Sequence, residues 1–180
     1  MAHVLVIGGS GMLANTSRWL LEQGHQVSVV GRSEEKIRAI AEEKELAHLL
    51  YPIVVNYRNH KEFQEKVTAV AHQLGLAEKV IAWVHQPEEA VIDIVCKEAL
   101  TSHGSFFHIV GSHSDAAALR TTTPVPETVD YHLIQLGFMI EQERSRWLTH
   151  VEISKGVIEA IRKKEQRKTI GVVEPWERRP

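Results

Sequence analysis

The sequence holds one cysteine, Cys96. An internal disulfide is therefore excluded, and so is any multi-cysteine zinc site. A basic excess is also missing: 21 Lys and Arg face 23 Asp and Glu, for a formal net charge of −2. General nucleic-acid binders carry a strong positive excess, so no nucleic-acid partner is expected. Every apolar run is far too short to span a bilayer, so no membrane partner is expected either. The 11 histidines show no His-Glu-x-x-His or comparable spacing, and no metal site is expected. Met1-Ala2-His3 runs straight into Val4-Leu5-Val6-Ile7-Gly8 with no basic region and no cleavage signal. The expectation is a cytoplasmic protein.

What remains is an ordinary globular composition, 43% hydrophobic and 24% charged over 180 residues. That suits one domain spanning 1–180 with a sizeable core. Short Val/Ile-rich runs alternate with longer amphipathic stretches. The runs predict strands at 4–8, 26–31, 52–56, 79–85, 105–112, 131–140 and 169–174. Most are continuous rather than alternating, as strands buried on both faces are. Helices are predicted at 12–23, 34–48, 60–74, 88–100 and 151–164. Ser33 before two glutamates, Asn59 with Glu62, and Thr149 with Glu152 supply start signals. Pro87 suits a first turn, and Gly24 and Gly75 suit helix ends. The pattern predicts an α/β fold of Rossmann type: one doubly wound, mainly parallel sheet of about seven strands, the first of them central, with helices on both faces. The stretch 113–130 breaks the rhythm. Its alanines allow a turn or two of helix, but Pro124, Pro126 and three threonines argue against a long one.

After the first strand comes Gly8-Gly9-Ser10-Gly11-Met12-Leu13-Ala14. It fits the dinucleotide fingerprint as Gly9-x-Gly11-x-x-Ala14 or as Gly8-x-x-Gly11-x-x-Ala14. Either register asks for a tight turn, bare backbone beside a pyrophosphate, and close helix packing. The following helix start offers N–H groups and a positive dipole to the phosphates. The motif alone is weak; its place between a buried strand and a helix strengthens it. At the end of the second strand an NAD-binding fold places a carboxylate for the ribose hydroxyl. Here Gly31-Arg32-Ser33 stands instead. A guanidinium suits the 2′-phosphate, so NADP(H) is expected over NAD(H).

The turn at 8–14, the Gly31-Arg32-Ser33 turn and the seven-strand rhythm together resemble the short-chain dehydrogenase/reductase superfamily, closer to its extended and atypical members. The resemblance implies that Asn56 stands where an adenine-contacting Asp is common, and that Ser112 stands at the catalytic serine position after the fifth strand. It also exposes a departure. The family's Tyr-x-x-x-Lys supplies the proton, but the only downstream tyrosine is Tyr131, and Gln135 stands four residues later. Residues 131–140 read as strand rather than helix. Ala82-Trp83-Val84-His85 does not match the family's Asn-Ala-Gly either. The chain thus reads as a shortened, atypical relative.

His85 and His113 follow the fourth and fifth strands, at the end of the sheet where doubly wound folds bind ligands. An imidazole there could replace the tyrosine as proton donor, against the plainer role of a loop hydrogen bond. The candidate site is therefore Ser112, His113 and His85 for catalysis, with Gly8, Gly9, Ser10, Gly11, Met12, Leu13, Ala14, Arg32, Ser33 and Asn56 for the cofactor. Ser112-His113-Asp115 is too compressed in sequence for a hydrolytic triad. Cys96, among apolar neighbours, reads as inert, and the basic run 162–168 as a solvated helix end. Two functions fit: an NADP(H)-dependent oxidoreductase acting on a small carbonyl or alcohol, or a non-catalytic NADP(H)-binding sensor or assembly subunit. The apolar surplus of 88–100 suggests a homo-oligomer, dimer or tetramer, paired through that helix.

Overall fold

The computed structural model describes residues 1–42, 44–85 and 89–180. Seven strands form one parallel sheet in the order β3-β2-β1-β4-β5-β6-β9. They are β1 (His3–Ile7), β2 (Gln26–Gly31), β3 (Leu50–Val54), β4 (Ala77–Trp83), β5 (Leu100–Val110), β6 (Asp130–Leu136) and β9 (Arg167–Ile170). The middle position belongs to β4; β1 lies beside it, between β4 and β2. All five residues of β1 are buried, which explains its unbroken apolar run.

Helices cover both faces. On one, α1 (Ala14–Glu22) and α7 (His150–Lys163) bury Leu20, Leu21, Val157 and Ala160 against β1, β2 and β6. On the other, α4 (His60–Leu74) and α5 (Glu89–Glu98) bury Phe63, Val67, Val91 and Val95. Full burial of such side chains contributes about 1.5–3 kcal/mol each. The expected start signals are in place. Asn59 accepts from the Glu62 amide, and Thr149 and Glu152 form a complete capping box.

The remaining elements depart from the sequence reading. The predicted helix 34–48 breaks into α2 (Glu34–Arg38), a 3₁₀ turn (Ala39–Ala41) and α3 (Lys44–Ala47). The predicted strand 131–140 divides at Gly137. Its second half, β7 (Phe138–Glu141), leaves the sheet and pairs antiparallel with β8 (Arg144–Trp147). The predicted last strand ends early, at Gly171 with φ 75°, and Val172 turns back to pair with Phe138. Between β5 and β6 lies α6 (Ala116–Thr122), seven residues capped by Asp115, so the irregular stretch holds no long helix. Pro87 and Glu88, the expected start of α5, lie outside the described residues. The apolar surplus of α5 is largely taken up within the chain: Val91, Ile92 and Val95 are buried, Ile94 and Cys96 are half-buried, and Ala90 is exposed. Burial pushes the Cys96 thiol up to about 12, so it is no nucleophile at neutral pH.

Candidate functional site

The sheet order reverses between β1 and β4, so their following loops diverge to opposite faces and leave a crevice at the C-terminal ends of the strands. Register sets its walls. Ile7 pairs with Val30 on one side and Ala82 on the other, and Trp83 pairs with Ile109. The residues just beyond these positions (Gly8, Gly31, His85, Ser112) therefore meet at one end of the sheet.

Each glycine of the first turn has a separate physical role. Gly8 sits at φ 80°, a conformation that strains other residues, and a Cβ there would meet the Trp83 carbonyl at 3.1 Å. Gly9 is packed shut: a Cβ would meet Ser17 Oγ at 2.7 Å, Val6 at 2.8 Å and Val29 at 2.9 Å. Ser17 Oγ donates to the Gly9 carbonyl and ties α1 to the turn. At Gly11 a Cβ would meet nothing within 4 Å. That is the bare, open backbone a pyrophosphate needs. No side chain caps the start of α1, so its N–H groups keep no side-chain acceptor. Ser154 of α7 donates to the Met12 carbonyl at 3.2 Å and holds the turn from the far side.

The crevice has two lobes that share Met12 and Trp83 in their walls. The first, about 410 Å³, runs from Gly8, Ser10 and Gly11 past Arg32 to Asn56, Tyr57, Arg58 and His85. It carries two guanidinium groups, and no carboxylate among its described lining residues. The second, about 280 Å³, is walled by Ser112 and His113 together with Trp147, His150 and Arg179.

Of the residues expected to hold a cofactor, Gly8, Ser10, Gly11, Met12, Arg32 and Asn56 line the first lobe. Gly9 and Leu13 pack inward instead. Ala14 begins α1, and Ser33 caps α2 by accepting from the Lys36 amide. Asn56 Oδ1 accepts from the Arg58 amide, which sets the loop after β3. The proton-transfer candidates separate. Ser112 and His113 line the second lobe, whereas His85 lines the first, edge-on to Trp83 at 5.5 Å. Asp115 is engaged in capping α6, which removes the third member of any hydrolytic triad.

Among the polar and aromatic lining residues, Tyr57, Arg58, Trp147, His150 and Arg179 escaped the sequence reading. Tyr57, whose hydroxyl accepts from the His85 amide at 3.3 Å, was marked only by lying one residue past Asn56. His150 looked like an ordinary helix start. Trp147 and Arg179 reach the lobe through the β7–β8 hairpin and the segment after β9, and no local signal marks them.

Tyr131 is remote from the crevice. It stands at the opening of β6, where its hydroxyl and His108 Nδ1 share a 2.8 Å hydrogen bond. Gln135 donates to the carbonyls of Ser112 (3.4 Å) and Ser114 (2.9 Å), so it clamps the loop carrying the candidate serine. His108 is 1% exposed, and burial holds its imidazole down at about 4. Its folded value lies below the unfolded one, so protonation favours the unfolded chain. Stability should be complete above about pH 6.5 and fall by up to roughly 3 kcal/mol as the pH drops toward 4. His3, also lowered by burial, adds in the same direction. Urea denaturation at pH 7.5 and 4.5 checks this; His108→Gln should flatten the difference, and an unchanged pH slope would contradict it.

Among the described residues, no cluster of His, Cys, Asp and Glu could hold a metal, and no helix is long and apolar enough to cross a membrane. No family model and no curated protein matches the chain by sequence. Solved structures do match. A short-chain dehydrogenase/reductase from Serratia marcescens BCRC 10948 aligns with a TM-score of 0.68 at 12% identity, over 94% of this chain and 96% of that one. A substituted actinorhodin polyketide ketoreductase with NADPH gives 0.66 at 16% identity, over 94% and 95%. Serine dehydrogenase from Escherichia coli gives 0.64 at 17% identity, over 94% and 96%. The chain has the Rossmann-type α/β fold of the short-chain dehydrogenases and reductases.

Proposed function

We propose that the protein is an NADP(H)-dependent oxidoreductase of the short-chain dehydrogenase type, acting on a small carbonyl or alcohol. One observation carries the reading: a lobe holding the open backbone at Gly11 and two guanidinium groups meets, at Met12 and Trp83, a second lobe that holds a serine and a histidine side by side in sequence. The residues present fit a dinucleotide. Gly11 offers the cradle that a side chain would fill, and the start of α1 has no side-chain acceptor to compete with a phosphate. When bound, the nicotinamide cofactor supplies the hydride chemistry. The protein supplies the rest. Arg32 pairs with the 2′-phosphate, the Gly8–Gly11 backbone receives the pyrophosphate, and Asn56 with Tyr57 borders the adenine end. In the second lobe Ser112 holds a substrate oxygen by donating its hydroxyl, and the His113 imidazole exchanges the proton at that oxygen. Gln135 keeps both in place through the loop it clamps.

Arg32→Ala should weaken NADPH binding by about one to two orders of magnitude, the worth of a charge-assisted hydrogen bond, and leave NADH binding nearly unchanged. Calorimetric titration of both cofactors decides it. Wild-type protein binding NADH as tightly as NADPH would refute the role of Arg32.

A second reading is a non-catalytic NADP(H)-binding sensor or assembly subunit. The observation in its favour is that Tyr131 lies away from the crevice and Gln135 serves as a loop clamp, so these two residues do not act as a proton-moving pair there. Tight NADPH binding without turnover across a panel of small carbonyls would select it.

A further inference from the structure

We propose that the second lobe is built for a substrate with a carboxylate beside an apolar body, and that Arg179 anchors the carboxylate. The inference rests on reading that lobe as the substrate site. Its charge is one-sided: the titratable groups on its described walls are His113, His150 and Arg179, with no Asp or Glu among them. The rest of the wall is mostly apolar, including Leu148 and Trp83.

Arg179 differs from the cations around it. Arg146 of the hairpin is engaged by Glu141 at 2.7 Å and Glu152 at 2.9 Å, and Arg178 donates to the Gln142 carbonyl at 3.1 Å. Among the described residues no carboxylate pairs with Arg179. Its guanidinium lies instead over two indole rings, 5.4 Å from the Trp147 centroid and 4.7 Å from that of Trp176. Stacking engages the faces of the guanidinium and leaves its N–H edges to fork onto an oxyanion.

The placement is fixed by backbone. Phe138 and Val172 exchange two hydrogen bonds, at 2.8 and 2.9 Å, which brings the segment after β9 back across the hairpin. The Arg179 amide then donates to the Trp176 carbonyl at 3.1 Å. A positive, flat donor thus lines the same lobe as Ser112 and His113. With its carboxylate on Arg179, a short substrate would turn its other end toward the serine. A lobe of about 280 Å³ suits a small acid.

The test uses the intact chain, titrated calorimetrically with phenylacetate and with its neutral isostere phenylacetamide. The acid should bind about tenfold more tightly than the amide, a modest figure because Arg179 is exposed. Arg179→Gln should bring the two ligands to equal affinity, and Arg179→Lys, which keeps the charge, should restore part of the preference. Equal affinities in the wild type, binding of neither ligand, or a preference that survives Arg179→Gln would overturn the proposal. Turnover separates the two readings. Acid-selective binding with no NADPH consumption on phenylglyoxylate supports the carboxylate site and sinks the oxidoreductase. Reduction of neutral carbonyls with no gain from a carboxylate does the opposite.

Discussion

Gly11→Val is expected to weaken the binding of NADPH and NADH alike by roughly two orders of magnitude or more, while leaving the stability of the fold almost unchanged. Its two halves come from one geometric fact. A Cβ at Gly11 meets nothing within 4 Å, so the protein itself has no objection to a side chain there. That space belongs to the crevice, and valine methyls in it would hold a pyrophosphate away from the backbone. Gly9→Val serves as the contrast. Its Cβ would meet three groups at 2.7–2.9 Å, two of them the stiff valines of β1 and β2. Overpacking of that kind costs about 1–3 kcal/mol, and the valine methyls add to it. Calorimetry and urea denaturation of both variants should therefore split binding from folding between neighbouring glycines. Gly11→Val protein that binds NADPH as well as wild type would remove the phosphate from this turn.

The difference between the two glycines was not legible in the sequence, although the motif was. Gly8–Ala14 announces a tight turn and a close approach, but which glycine packs and which stays open depends on Val29 and Ser17, set by the sheet and by α1. The first two strands were legible for a simple reason: each is a buried apolar run, and burial on both faces leaves no competing pattern. β3 and β4 begin two residues before the predicted runs, and β5 begins five residues before, because its opening Thr101-Ser102-His103 is polar. The break at Gly137 was hidden because apolar residues flank it on both sides, Leu136 before and Phe138-Met139-Ile140 after, and the segment that pairs with Phe138 comes from much later in the chain. For the same reason the first lobe was mostly readable and the second was not. Arg32 and Asn56 follow strand ends in sequence and so can be placed by counting. Trp147, His150 and Arg179 meet only after a hairpin has folded out of the sheet and the segment beyond β9 has crossed it. Tyr131 and Gln135 show the converse. The sequence excluded them as a catalytic pair and placed them in a strand, but not what they do there: one has a buried histidine partner and the other clamps the Ser112 loop.

That crossing makes Gly137→Ala the most disruptive small substitution expected near the second lobe. Alanine in place of glycine ordinarily stabilises a protein by about 0.4–1 kcal/mol where the backbone allows it, because it restricts the unfolded chain. Gly137 has no positive φ, so its backbone would accept alanine. The obstacle is steric. The new Cβ would overlap the Val172 carbonyl oxygen, with the Val172 carbonyl carbon at 2.6 Å and its nitrogen at 3.0 Å. These are backbone atoms and cannot rotate aside as a side chain would. The segment at Val172 must therefore lift, breaking both hydrogen bonds between Phe138 and Val172. Two lost backbone bonds and the overpacking together predict a destabilisation of about 2–5 kcal/mol. The same movement withdraws Arg179 from Trp147, so any preference for a carboxylate should disappear with the stability. Urea denaturation gives the first quantity and the acid–amide titration the second. If Gly137→Ala is as stable as wild type and still prefers the acid, Val172 does not cross here in solution, and the second lobe loses the wall that Arg179 provides.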